Sequence, residues 1–285
     1  MYPFEYAAPS TLDEALGMLR EHGDDAKVLA GGQSLIPILQ YRLARPRIVV
    51  DINALPLADV AADNGRLRLG ALVRHHQLEE SGVVAQRCPV LAEAARLIGN
   101  VRVRALGTVG GSLAHADPAA ELAVVMTALD AQLVIASASA RRTVAAREFF
   151  TGPLTTALAP DEILTAIDVA ATPTHGWAVE EISRRAGDFA IVAVVALVRL
   201  DRAGRVDDAR VAFGGVADRP VLARTVQEAL GGREPAADAL ARAATLACNA
   251  LDPPSDAFVS GAYRRHLAGV LCRRALARAV ERARR

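Results

Sequence analysis

Two glycine-centred segments carry the residue types with the clearest chemistry, Ala30-Gly31-Gly32-Gln33-Ser34-Leu35 and Gly107-Thr108-Val109-Gly110-Gly111-Ser112. A glycine pair lets the main chain take positive φ and approach a ligand with no Cβ in the way, so that successive amide N–H groups can point at an anion. Ser34, Thr108 and Ser112 add hydroxyl donors beside the glycines, and phosphate oxygens accept from both kinds of donor. Together the two segments read as a cradle for a pyrophosphate. Taken singly, each reads as a plain turn, the commonest use of Gly-Gly after a strand. Neither is Gly-x-Gly-x-x-Gly opening a helix behind a first strand, and no Gly-x-x-x-x-Gly-Lys-Ser/Thr occurs. The common dinucleotide and nucleoside-triphosphate fingerprints are therefore absent.

Other chemistry is sparse. His75, His76 and His115 have no carboxylate or cysteine partner at ligand spacing, so no metal site is expected. The three cysteines, Cys88, Cys248 and Cys272, lie far apart in the chain and cannot build an iron–sulfur cluster. No acid–base constellation suggests a catalytic residue. A net charge of +1 argues against nucleic acid as the main partner, because such binding needs a concentrated basic surface. The basic stretch from Arg273 to Arg285 reads as a final helix with arginines on its wet face. No basic-then-apolar leader opens the chain, and the longest apolar run, Ala190 to Val198, is too short to span a bilayer. A cytoplasmic protein with reduced thiols is expected.

The elements that must position these segments follow from periodicity. Phe4 to Tyr6 predicts a short strand, and Leu12, Ala15, Leu16 and Leu19 a helix capped by Ser10 or Thr11 and ended by Gly23. Strands are predicted over Lys27 to Ala30, which runs into the first glycine pair, over Arg47 to Ile52 behind Pro46, and over Arg66 to Gly70. A helical stripe over Val90 to Ile98 precedes the second glycine segment. Asp117-Pro118 then reads as an N-cap with proline at the first helical position, followed by Leu122, Val125, Met126 and Leu129 on one face. Strands over Gln132 to Ile135 and Glu162 to Val169 complete the middle of the chain. Thr172 to Gly176 is breaker-rich and marks a boundary. Beyond it strands are predicted at Glu180 to Ser183, Ala190 to Leu200 and Ala209 to Phe213. Helices around Leu222 to Leu230, Ala237 to Ala250 and Tyr263 to Arg282 follow.

Three motifs in one order carry a family resemblance: Ala-Gly-Gly-Gln-Ser-Leu at 30 to 35, Gly-Thr-Val-Gly-Gly-Ser-Leu-Ala-His-Ala-Asp-Pro at 107 to 118, and Arg-Arg-Ala-Gly-Asp-Phe-Ala at 184 to 190. They resemble the FAD-binding medium subunit of the molybdenum hydroxylases, the carbon monoxide dehydrogenase and xanthine dehydrogenase family, and the similarity runs over essentially the whole chain. The resemblance implies an α+β protein: a two-lobed FAD-binding fold of the PCMH type, with lobes over 1–55 and 56–172, then a small C-terminal α+β domain over 173–285 with a three-stranded sheet and helices. It places Ala30, Gly31, Gly32, Gln33, Ser34 and Leu35, with Thr108, Gly110, Gly111 and Ser112, around the pyrophosphate of FAD. Glu121 falls where an acidic residue binds the adenosine ribose, Ile98 beside the adenine, and Leu164 and Phe189 beside the flavin. Asp117 has two jobs open to it, capping a helix and lying near the cofactor. Arg184 and Arg185 have a place on the flavin-facing surface.

The chain departs from the family pattern at Glu180, where xanthine-oxidising relatives carry a lysine near the flavin, and at Gln33, where several carbon monoxide dehydrogenase subunits have histidine. The resemblance also implies a role. A molybdenum cofactor on a large subunit and two iron–sulfur clusters on a small one would feed electrons to FAD on this chain, which passes them to an external acceptor. The assembly would be a dimer of heterotrimers. Two other classes stay open: a free-standing FAD-dependent oxidase or reductase of the same broad fold, and a non-catalytic binding or scaffold protein whose glycine turns are structural.

Overall fold

A computed structural model describes all residues from Met1 to Arg285. The N-terminal unit comprises β1 (Glu5–Ala7), α1 (Leu12–His22), β2 (Ala26–Leu29), α2 (Leu35–Gln40) and β3 (Ile48–Asp51). Its three strands form a parallel sheet in the order β1-β3-β2. Thr11 caps α1 in a reciprocal box with Glu14, and Gly23 at φ 50° stops it. Ala15, Leu16 and Leu19 then face Ile48 and Val50 in a small core.

The middle of the chain runs β4 (Val60–Asp63), β5 (Arg66–Gly70), α3 (His75–Glu80), α4 (Gly82–Arg87), α5 (Pro89–Leu97), α6 (Val101–Leu106), α7 (Val109–His115), α8 (Glu121–Ala128), β6 (Gln132–Ala136), β7 (Arg141–Ala145), α9 (Ala146–Phe149), β8 (Phe150–Gly152), β9 (Thr155–Thr156) and β10 (Ile163–Ala170). An antiparallel sheet in the order β4-β5-β10-β6-β7 packs against the helices. Every residue of α8 is buried, so this helix has no wet face and forms the centre of the largest core.

The last part contains β11 (Gly176–Ser183), β12 (Ala190–Leu200), β13 (Val206–Gly214), β14 (Val221–Leu222), α10 (Arg224–Leu230), α11 (Ala237–Asn249) and α12 (Gly261–Ala283). Three long antiparallel strands form its sheet as expected, and the two-residue β14 joins them as a fourth. Strand β12 explains its own sequence. Val192, Val194, Ala196 and Val198 face α12, whereas Ala193, Val195 and Leu197 face the core around α8. A strand covered on both sides reads as one continuous apolar run.

The final helix differs from the solvated helix expected for Arg273 to Arg285. Arg273 and Arg274 are exposed, but Arg278 and Arg282 reach back to Glu93 on α5, and Arg278 also pairs with Glu180. No helix is long and apolar enough to cross a membrane.

Candidate cofactor cleft

The first glycine segment leaves the carboxyl end of β2, where the Ile52 amide donates to the Leu29 carbonyl at 3.0 Å. The chain reverses at Gly32, φ 69°, and enters α2. Gln33 folds back, its Nε2 donating to the Gly31 carbonyl at 3.0 Å. The amide N–H groups of Gly31, Gly32, Gln33 and Ser34 find no acceptor in the protein, nor does the Ser34 hydroxyl find a partner. Four consecutive amide donors without a protein acceptor, all lining one cleft, have the chemistry to hold an anion.

The second segment is not the turn that its composition suggests. It opens α7, with Thr108 as N-cap, its Oγ1 accepting from the Gly111 amide at 3.0 Å. The Val109 and Gly110 amides donate to the Val73 and Ala71 carbonyls at 2.9 and 2.8 Å. A Cβ on Gly110 would stand 2.5 Å from the Ala71 Cβ, so glycine here serves close packing. With those amides committed, the segment's free donors are the Thr108 N–H and the hydroxyls of Thr108 and Ser112.

The two segments touch. A Cβ on Gly31 would lie 2.5 Å from the Leu106 carbonyl oxygen and 2.8 Å from the Gly107 Cα. Arg74 pins them together: its Nη1 donates to the Leu106 carbonyl and its Nη2 to Asn53 Oδ1 at 2.6 Å, while Asn53 Nδ2 donates to the Ala30 carbonyl at 2.9 Å. Asp51 accepts from the Asn53 side chain at 2.6 Å and from the Tyr6 hydroxyl at 2.7 Å. Burial alone would raise the Asp51 carboxyl, but these hydrogen bonds and the Arg74 charge outweigh it and hold it below the usual range. No local motif marks Arg74 or Asn53; they act on segments about thirty and twenty residues away in sequence.

All of Ala30, Gly31, Gly32, Gln33, Ser34, Leu35, Ile98, Thr108, Gly110, Gly111, Ser112, Asp117, Glu121, Leu164 and Phe189 line one cleft of about 750 Å³. Ile98 ends α5 and Leu164 lies in β10, both buried; Phe189 is 57% exposed on the loop between β11 and β12. That loop leans on the α5–α6 turn at Gly187, φ 85°, where a Cβ would meet the Gly99 carbonyl at 2.8 Å. Asp117 does not cap the following helix. It accepts from the Ala119 amide at 2.9 Å in a local turn, and α8 starts at Glu121 behind Ala120. Pro118 fits that turn equally well, which is why the pattern pointed to a helix start. Arg184 stacks on Phe258, 4.6 Å from its ring centre, outside the cleft. Glu180 is likewise outside it, paired with Arg278. No three His, Cys, Asp or Glu side chains converge as metal ligands.

Residues 2–171 match the family described as the FAD binding domain in molybdopterin dehydrogenase, and residues 177–279 match the CO dehydrogenase flavoprotein C-terminal domain. The chain belongs to this family of FAD-binding subunits. It is 37% identical to the 6-hydroxypseudooxynicotine dehydrogenase complex subunit alpha of Paenarthrobacter nicotinovorans over 99% of this chain and 96% of that one. Its identity to the carbon monoxide dehydrogenase medium chain of Afipia carboxidovorans is 35%, over 98% of each. The solved carbon monoxide dehydrogenase of Hydrogenophaga pseudoflava, a form lacking the Mo-pyranopterin moiety of the molybdenum cofactor, superposes with a TM-score of 0.95 at 36% identity over 99% of both chains.

The electrostatics of this FAD-binding subunit fit a ligand with a diphosphate at one place and hydroxyls at another. Free amides and hydroxyls gather around Gly31 to Ser34 and Ser112, and the glycines let the two segments pack close enough to share one cleft. Glu121 is 5% exposed at the start of α8. Burial, aided by the Asp117 charge, pushes its carboxyl up to about 7. Glu181 on β11 is also raised to about 7, by burial and by Glu121, and its Oε2 is buried without a partner. His75 lies under Gly107. Burial first, then the charges of Arg74, Arg104 and His76, lowers its pKa to about 4, so the imidazole is neutral near pH 7.

Proposed function

We propose that this chain is the FAD-carrying electron-transfer subunit of a molybdenum hydroxylase, taking electrons from iron–sulfur clusters on a small partner subunit and passing them to an external acceptor. The molybdenum cofactor belongs to a large partner, and the assembly is a dimer of heterotrimers in the cytoplasm. The lobes divide near residues 55 and 172. When bound, FAD supplies the redox chemistry, exchanging electrons singly with a cluster and in pairs with an acceptor.

The chain's own residues bind and orient. In this reading the amides of Gly31 to Ser34, with the Ser112 and Thr108 hydroxyls in the same cleft, would hold the diphosphate. Glu121 would accept from a ribose hydroxyl, Ile98 would flank the adenine, and Leu164 and Phe189 would lie beside the flavin. Asp117 lines the cleft in its own local turn, and its charge would be repulsive to a diphosphate placed against it. Buried Leu164 excludes water from one side, whereas exposed Phe189 sits on a loop.

The row of unengaged amides from Gly31 to Ser34, lining the same cleft as Ser112, is the observation that carries this reading. The test is co-expression of the full chain with its partner subunits, followed by a visible spectrum. Flavin and iron–sulfur bands that co-purify, and flavin reduction by the molybdenum subunit's substrate, are expected. Protein that takes up no FAD on reconstitution would overturn the reading.

A further inference from the structure

Lys27 is the only lysine in a chain that otherwise uses arginine for its permanent positive charges. It lies on β2, exposed, with no ion pair and no hydrogen bond to its side chain, and it lines the cofactor cleft. No arginine lines that cleft. Arg74, beside it, is spent on Leu106 and Asn53, and Arg142 neutralises Glu162 at 2.6 Å. The other carboxylates on the lining, Asp24, Asp117, Glu121 and Asp188, have no ion-pair partner.

This balance is wrong for an anion unless a cation answers it. A diphosphate brings further negative charge into a lining already rich in carboxylates, and free amides offer only partial charges. Charges in a cleft walled by apolar side chains act over longer distances than on an open surface. We propose that Lys27 supplies the positive charge against which the cleft holds its dianionic cofactor. The inference rests on the FAD reading above. Lys27 acts from the wall of the cleft, where bound FAD would also shield its ε-amine.

Two measurements on the full chain test it. FAD is titrated by flavin fluorescence into wild type, Lys27→Met and Lys27→Arg at low and moderate salt. Lys27→Met is expected to bind about tenfold more weakly with a shallower salt dependence, and Lys27→Arg to restore most of both. Because Lys27 is exposed and bonded to nothing, the variants should melt like wild type without FAD. Separately, the ε-amine is acetylated with an N-hydroxysuccinimide ester and followed by mass spectrometry; bound FAD should slow its modification. Unchanged affinity and salt dependence in Lys27→Met, or equal acetylation with and without FAD, would overturn the inference while leaving the FAD reading intact. Wild type that binds no FAD at all overturns both.

Discussion

Gly31 packs on the carbonyl oxygen of Leu106 so closely that a Cβ there would stand 2.5 Å away, with the Gly107 Cα at 2.8 Å. Both obstacles are backbone and cannot swing aside, so Gly31→Ala must push the two glycine segments apart. Overpacking of this kind costs about 1–3 kcal/mol. Expected outcomes are a lower melting temperature and FAD affinity reduced about tenfold or more. Gly17 in α1 is the control: nothing lies within 4 Å of a Cβ there, so Gly17→Ala should stabilise the chain by about 0.5–1 kcal/mol and leave FAD binding alone. Thermal melts and flavin titrations check both, and a Gly31→Ala protein with wild-type affinity would refute the packing argument.

Arg74 serves two acceptors that diverge, the Leu106 carbonyl and Asn53 Oδ1. A lysine ammonium cannot span both as a planar guanidinium does. Arg74→Lys should therefore behave almost like Arg74→Met, each losing about 1–3 kcal/mol of stability and several-fold in FAD affinity. Full rescue by lysine would show that charge, not the fork, matters.

How much of this was legible beforehand depends on the range of the interaction. The cap at Ser10 or Thr11, the glycine stop at Gly23 and the apolar run of β12 are local or periodic signals, and they gave elements close to those observed, with Thr11 the cap. The second glycine segment misled because Gly110 and Gly111 are poor helix formers; tertiary contact with Ala71 and Val73 overrides that propensity. The family resemblance placed fifteen residues that share one cleft, twelve of them inside its three motifs and Ile98, Glu121 and Leu164 outside them. Arg74, Asn53 and Lys27 carry no motif, because their roles exist only once β2, α6 and the start of α3 are brought together.

Phe189 is 57% exposed and so contributes little to folding. Phe189→Ala should shift the melting temperature without FAD by no more than the equivalent of about 0.5 kcal/mol. If its ring lies against the flavin, the same variant should change the fluorescence and reduction potential of bound FAD. A change in stability with no change in the flavin would assign Phe189 to packing instead.

Glu93 joins α5 to the last sheet and helix. It accepts from Trp177 Nε1 at 2.8 Å, Arg282 Nη1 at 2.6 Å and Arg278 Nη2 at 3.1 Å. Glu93→Ala leaves an indole N–H and two guanidinium groups short of a partner, at a cost of about 1–3 kcal/mol. Hydrogen exchange should speed up in β11 and the C-terminal part of α12 first, and uniform acceleration across the chain would contradict this localisation.

Glu121 and Glu181 both have carboxyls raised to about 7, Glu121 by burial and the Asp117 charge, Glu181 by burial and the Glu121 charge. A raised acid keeps its proton in the folded state after the unfolded chain has lost it. The folded state therefore binds more protons between the ordinary glutamate range, about 4.5, and about 7. Stability from this pair is complete at the lower limit and is lost as pH rises through the upper one; the two groups titrate as a coupled unit. Glu121→Gln removes one charge and relieves Glu181, so without FAD the variant should melt higher than wild type at pH 8 and about equally at pH 5. FAD binding should move the other way at pH 8, since an amide offers the ribose a weaker acceptor than a carboxylate. Melting curves for the two proteins that stay parallel from pH 5 to 8 would show that Glu121 is not held in a raised state. Weaker FAD binding with no such pH difference would keep its ribose role while removing its part in stability.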